Sequence, residues 1–199
     1  MNYENVGQLK AFYDSPAGHK KCRQLRSKIL TRWPVVKKEK IIGFGFALPY
    51  LPIFAEHNQE IAIMPASIGA LDLHQGMACV MADETLLPLR NETIDRVLAV
   101  HALENTELPQ EMILEFWRVL KAYGRVMFIF EREKFDHEKL EAMLKANKFS
   151  VRHSARAGWF STTQIVEAQK LVFAPRGRTQ KVIKSIMDKL TRPKAVAGV

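Results

Sequence analysis

His101 and Glu104 stand three residues apart just beyond the apolar run Ile94 to Val100. An imidazole titrates near neutral pH, so His101 could accept a proton from a substrate hydroxyl or amine. A histidine at such a place is also a common hydrogen-bonded packing residue, and both readings stand. Asp83 and Glu84 end a second run, Met77 to Ala82. A carboxylate at the end of a parallel strand fits the rule that ligands bind beyond the carboxyl edge of the sheet. A loop acid in water is the competing reading. Gly43 and Gly45 close a third run, Lys40 to Gly45, and lead into a turn. Glycines let a backbone come close to a ligand, and a helix opening after them would offer free N–H groups to an anion. A sharp strand-to-helix turn without a ligand explains the same pattern.

These residues need elements to hold them. Ile94 to Val100, rich in valine and leucine, suits a strand covered on both faces of a parallel sheet. Met112, Phe116, Val119, Leu120 and Tyr123 then recur at helical spacing, widened by Ile113 and Trp117. Pro109 fits the first turn of that helix, Lys121 the last, and Gly124 a left-handed stop. Arg125 to Phe130 is the next strand, so the unit is a right-handed β-α-β crossover with parallel strands. Upstream, Ser15 and Pro16 read as cap and first helical residue of a helix whose stripe is Cys22, Leu25, Ile29 and Trp33, ended by Pro34. Lys40 to Gly45 and Glu60 to Met64 are the first two strands, with a helix expected from about Leu48 to His57. Downstream come a helix from about Asp136 to Asn147 and strands at Phe149 to Arg156 and Ile165 to Ala174. Gly158, Trp159 and Phe160 lie in the joint between those strands, and burial against a helix is the expectation for the two aromatics. Lys181 to Leu190 reads as a short basic amphipathic helix.

The stretch LPLRNETIDRVLAVHALEN resembles the middle of the type 11 class I methyltransferases that use S-adenosylmethionine, roughly LPFPDNSFDLVLSVHVLEH. FWRVLKAYGRVMFIF resembles that family's RVLKPGGRLVI, with Ala122 and Tyr123 in place of proline and glycine. The resemblance runs from about Lys40 to Pro175. It implies a three-layer α/β Rossmann-like fold with a mostly parallel seven-stranded sheet and a C-terminal antiparallel hairpin. It also implies S-adenosylmethionine as cofactor, weakly held or lost, and an unidentified methyl acceptor. The family's Asp-x-Gly-x-Gly-x-Gly turn maps onto Gly43, Gly45, Ala47 and Pro49, and only Gly45 matches. Gly43 replaces the acid that organises the cofactor's amino group. Met64 and Pro65 replace the acid that takes the ribose hydroxyls, and Asp72 cannot be assumed to substitute. Asp83, beside Glu84, stands where the family receives the adenine amino group. His101 and Glu104 stand where it faces its substrate, and Tyr13, on the leading helix, is a lid residue by the same resemblance. The function this resemblance implies is an S-adenosylmethionine-dependent methyltransferase with an atypical cofactor site; the alternative is a catalytically silent methyltransferase-like domain acting as a binding or scaffold protein for RNA or another polyanion.

Composition bounds these readings. The 199 residues, 47% of them hydrophobic, can bury one substantial core. The expected organisation is a helical segment at 1–39, the α/β domain at 40–175 and a basic tail at 176–199. Cys22 and Cys79 have no metal-ligand spacing, and two cysteines are too few for a disulfide framework, so a reducing cytoplasm is expected. No signal peptide or spanning segment is visible. Of the net charge of +9, residues 1–40 carry +7 and residues 175–199 carry +6, leaving −4 for the body. Basic ends on an acidic body suggest attraction to a polyanion such as RNA or an anionic membrane surface, against the plainer reading of solubilising charge.

Overall fold

A computed structural model describes residues 6–55, 59–66, 79–159 and 161–172. Asp72, Phe160 and the expected tail at 176–199 lie outside the described residues. Seven strands form one sheet: β1 Lys40–Gly45, β2 Gln59–Pro65, β3 Cys79–Ala82, β4 Ile94–Val100, β5 Leu120–Glu131, β6 Phe149–Arg156 and β7 Thr163–Lys170. Their order is β3-β2-β1-β4-β5-β7-β6, with β7 antiparallel to both β5 and β6 and every other pair parallel. The expected three-layer fold with its antiparallel end is therefore the observed one. The chain leaves β1 toward β2 on one side and later returns to β4 on the other. Such a reversal is where open α/β sheets form a crevice, here at the carboxyl ends of β1 and β4, where Gly45 is in register with Val100.

Alternation along the strands feeds two cores. Ile42, Phe44, Val97 and Ala99 pack with α3 (Pro109–Val119) and α4 (His137–Ala146). Ile41, Leu98, Val100, Met127 and Ile129 pack with α1 (Val6–Tyr13) and α2 (Pro16–Arg32). α2 starts as the sequence demands, with the Ser15 hydroxyl accepting from the Gly18 amide and Pro16 at the first position. Its stripe of Cys22, Leu25, Ile29 and Trp33 is buried. Gly18 is a contact position, because a Cβ there would lie 2.0 Å from the Phe12 carbonyl oxygen where α1 turns into α2.

Three local expectations are corrected. Over its described residues, 48–55, the helix expected from Leu48 to His57 is a single 3₁₀ turn, Leu51–Ile53, and its end at His57 lies outside the described residues. Pro49 and Pro52 each lack a backbone donor and restrict the residue before them, so an α-helix cannot propagate there. The crossover helix stops at Val119, not beyond Lys121, because Leu120 already pairs with Ile94. Tyr123, not Gly124, takes the left-handed backbone, at φ 62°. Gly124 is needed for closeness: a Cβ there would lie 3.2 Å from the Asp95 carbonyl oxygen across a bulge. Finally, Trp159 is exposed, at 88%, and does not pack against a helix.

Candidate functional site

His101 is the first residue past β4 and adopts φ 51°, a left-handed conformation uncommon outside glycine. Two bonds hold it there: its amide donates to the Ile129 carbonyl at 2.9 Å, and the Asn105 side chain donates to its own carbonyl at 2.7 Å. The turn throws the imidazole inward, where only 1% of the residue is exposed. Its Nε2 lies 3.0 Å from the Tyr13 hydroxyl, and its Nδ1 lies 2.9 Å from Glu104 Oε1. The Tyr50 hydroxyl in turn donates to the Tyr13 oxygen at 2.8 Å. With the imidazole proton on Nδ1, donation runs one way, from Tyr50 to Tyr13 to His101 to Glu104. Burial, and then the neighbouring Tyr13, push the Tyr50 hydroxyl well above the usual tyrosine range, so the chain begins with a group that keeps its proton.

Glu104 is anchored a second time, since the Glu131 amide donates to the same Oε1 at 2.8 Å. Its other oxygen, Oε2, is buried with no hydrogen-bond partner among the described residues. Glu131 ends β5 and continues the network outward. Its carboxylate accepts from Lys21 on α2 and from the Thr162 and Thr163 hydroxyls. Burial raises this carboxyl, but Lys21 and the hydroxyls outweigh it and leave the group below the ordinary range. Four separate parts of the chain thus meet over the carboxyl ends of β4 and β5: α1, α2, the loop after β4 and the β6–β7 joint.

The turn after β1 closes the neighbouring space. Gly45 has φ 72°, and a Cβ on it would lie 2.4 Å from the Val100 carbonyl oxygen, so the fold itself demands this glycine. A Cβ on Gly43 would lie 2.7 Å from the Ala47 Cβ and 2.8 Å from Leu51 Cδ1. Phe46, Ala47, Tyr50 and Leu51 are all buried, and Phe46 stacks on Tyr13 with ring centroids 5.0 Å apart. α2 fastens the turn from above, with Arg26 Nε donating to the Pro49 carbonyl at 2.8 Å.

Of the residues singled out from the sequence, His101, Glu104 and Gly45 come together at the β1–β4 crevice. Gly43 and Ala47 lie behind them in the packed turn, and Met64 and Pro65 are buried at the end of β2. Asp83 is solvent-exposed, and its carboxylate accepts from the Thr85 amide and hydroxyl, both at 2.7 Å. The amide bond, followed by the hydroxyl bond, lowers its pKa. Glu84 accepts from the Thr106 hydroxyl at 3.1 Å, which ties it to the loop after β4. Sequence reading gave no role to Lys21, Glu131, Thr162 or Thr163. The available signal was Glu131 itself, an acid directly after the apolar run of β5.

Among the described residues no helix is long and apolar enough to cross a membrane, and no group of His, Cys, Asp and Glu could hold a metal ion. Comparison with known proteins agrees with the fold. The family profile described as a methyltransferase domain, type 11, matches residues 43–128. The uncharacterized protein MJ1123 of Methanocaldococcus jannaschii is 30% identical over 161 residues, covering 79% of this chain and 73% of its own. A SAM-dependent methyltransferase from Aquifex aeolicus superposes with a TM-score of 0.64 at 17% identity, over 83% of this chain and 98% of that one. The [4+2]-cyclase SpnF gives a TM-score of 0.63 at 16% identity, over 80% and 84%. The β3-β2-β1-β4-β5-β7-β6 sheet, the matched profile and the relative at 30% identity lead to one assignment: this chain belongs to the class I S-adenosylmethionine-dependent methyltransferase family, with a type 11 methyltransferase domain.

Proposed function

We propose that this chain is a methyltransferase-family domain that does not hold S-adenosylmethionine in the family's way and acts by binding a partner. The observation that carries the reading is the filled turn after β1. The place of the acid that organises the cofactor's amino group is Gly43, and the space in front of it is taken by Ala47 and Leu51. The donor set fails the same test elsewhere. Met64 and Pro65 offer no carboxylate to a ribose, the 3₁₀ turn offers no α-helix terminus, and Thr85 already engages Asp83. Gly43, Ala47 and Met64 therefore do not fit the cofactor, Gly45, Asp83 and Glu84 are left without the family's other contacts, and no transfer step is derived through it. On this reading Tyr13, His101 and Glu104 lock α1 over the carboxyl edge.

One observation favours a second reading, an active transferase with a rebuilt cofactor site. Glu104 Oε2 is a buried acceptor without a partner among the described residues, next to an imidazole placed where the family faces its acceptor. Such an atom normally has a bound group to satisfy it. His101 would then take the proton of an incoming hydroxyl or amine after Tyr13 moves away. SpnF, which shares the fold and is described as a cyclase, illustrates that the fold alone does not set the reaction.

A thermal-shift titration separates the two. Cofactor at ~100 times its Kd stabilises a protein by ~2.7 kcal/mol, or roughly 5 to 10 °C for a domain of this size. The binding-domain reading expects no shift at millimolar cofactor or demethylated product. A saturable shift of that size supports the transferase.

A further inference from the structure

α2 carries six Lys or Arg between Pro16 and Arg32 and no acid. One flank of it faces the β6–β7 joint across an open groove of about 1000 Å³. Lys21 on that wall is already neutralised by Glu131. Lys20, Arg23 and Lys28 also line it and have no carboxylate partner among the described residues. The positive field reaches the sheet: burial, and then Arg32 and Lys28, lower the pKa of His153 on β6, against an opposing pull from Glu167. At the far lip, Gly158 joins the groove to a second hollow lined by Arg156 and Trp159, and the Trp159 indole is almost fully in water. An indole so exposed is free to stack on a planar ligand.

A cationic wall continued by an exposed aromatic is an arrangement that can hold a phosphate chain along one stretch and stack a base at its end. Its concavity suits a strand, whereas an anionic bilayer would need a convex or flat basic face. We propose that the groove between α2 and the β6–β7 joint binds single-stranded nucleic acid, with phosphates against Lys20, Arg23 and Lys28 and a base stacked on Trp159. The groove abuts the His101 site through Lys21, Thr162 and Glu131. It names the partner for the binding-domain reading, yet none of its contacts depends on whether cofactor binds.

The test uses the full-length chain and a labelled oligouridylate followed by fluorescence anisotropy. Wild type binds, and its affinity falls as salt rises from about 50 to about 200 mM. The triple variant Lys20→Glu, Arg23→Glu, Lys28→Glu weakens binding, and its log–log salt slope is shallower by about 2, taking ~0.7 per lost contact on a single strand. Trp159→Ala costs about tenfold, and oligouridylate quenches wild-type indole emission. Since these side chains are on the surface, both variants should keep the wild-type melting temperature. The proposal is overturned if wild type does not bind, if the triple variant binds like wild type, which would place the contact elsewhere on the chain, or if phosphatidylserine vesicles bind and oligouridylate does not. A cofactor titration that succeeds or fails leaves each of these outcomes unchanged.

Discussion

His101 shows how a residue can be found from its position while its role stays hidden. Its place after β4 marked it, and so did the nearby Glu104, but its hydrogen-bond partner Tyr13 lies 88 positions earlier in the chain. No local pattern encodes a contact of that range. Tyr13→Phe removes the hydroxyl between Tyr50 and His101 while keeping the ring stacked on Phe46, so urea unfolding should show a loss of about 1 to 3 kcal/mol. An unchanged midpoint would mean that the network contributes no stability. Glu131 makes a pH-dependent prediction. Its folded pKa is depressed, so its stabilisation is present above the ordinary carboxylate value of about 4.3 and is lost as pH falls through the lower folded value. Glu131→Gln should therefore be less stable than wild type near neutrality, and urea melts taken progressively below the ordinary carboxylate range should show the difference shrinking.

At the scale of elements, the sheet was legible because each inner strand is an apolar run of the right length and composition. Ile94–Val100 and Lys40–Gly45 have the predicted bounds. α4 likewise runs between the Asp136 cap and Asn147. What failed were the junctions. Pro49 and Pro52 carried the signal against a helix after β1. Gly124 matched a helix-stop pattern although strand pairing had already begun at Leu120. The turn after β1 also allows a direct trial of the packing argument. Gly43→Asp restores the family's acid, but its Cβ would overlap Ala47 and Leu51, and its carboxylate would be buried. Overpacking and an unpaired buried carboxylate together should cost about 2 to 5 kcal/mol in denaturant unfolding, with no gain of cofactor affinity. A stable variant that acquires binding would show that the pocket is open.

At the scale of the whole molecule, two cores lie on opposite faces of one sheet. One core joins α3 and α4 to the sheet, and the other seats α1 and α2 on its opposite face. The basic flank of α2 is exposed as a result of the burial of its other side, and this placement turns a compositional excess of charge into a surface with a shape. Sequence reading located the charge at the chain's beginning but could not pair it with Trp159, which lies across the sheet's far end in sequence. The central claim is that the family's cofactor site is filled at the turn after β1 by Ala47 and Leu51 and has lost its ribose acid at Met64 and Pro65. Calorimetric titration of the full-length chain with S-adenosylmethionine, carried to millimolar concentration and repeated with Asp83→Ala, tests it most directly. The claim predicts no saturable heat in either protein, and it is contradicted by saturable one-to-one binding in the wild type that Asp83→Ala abolishes.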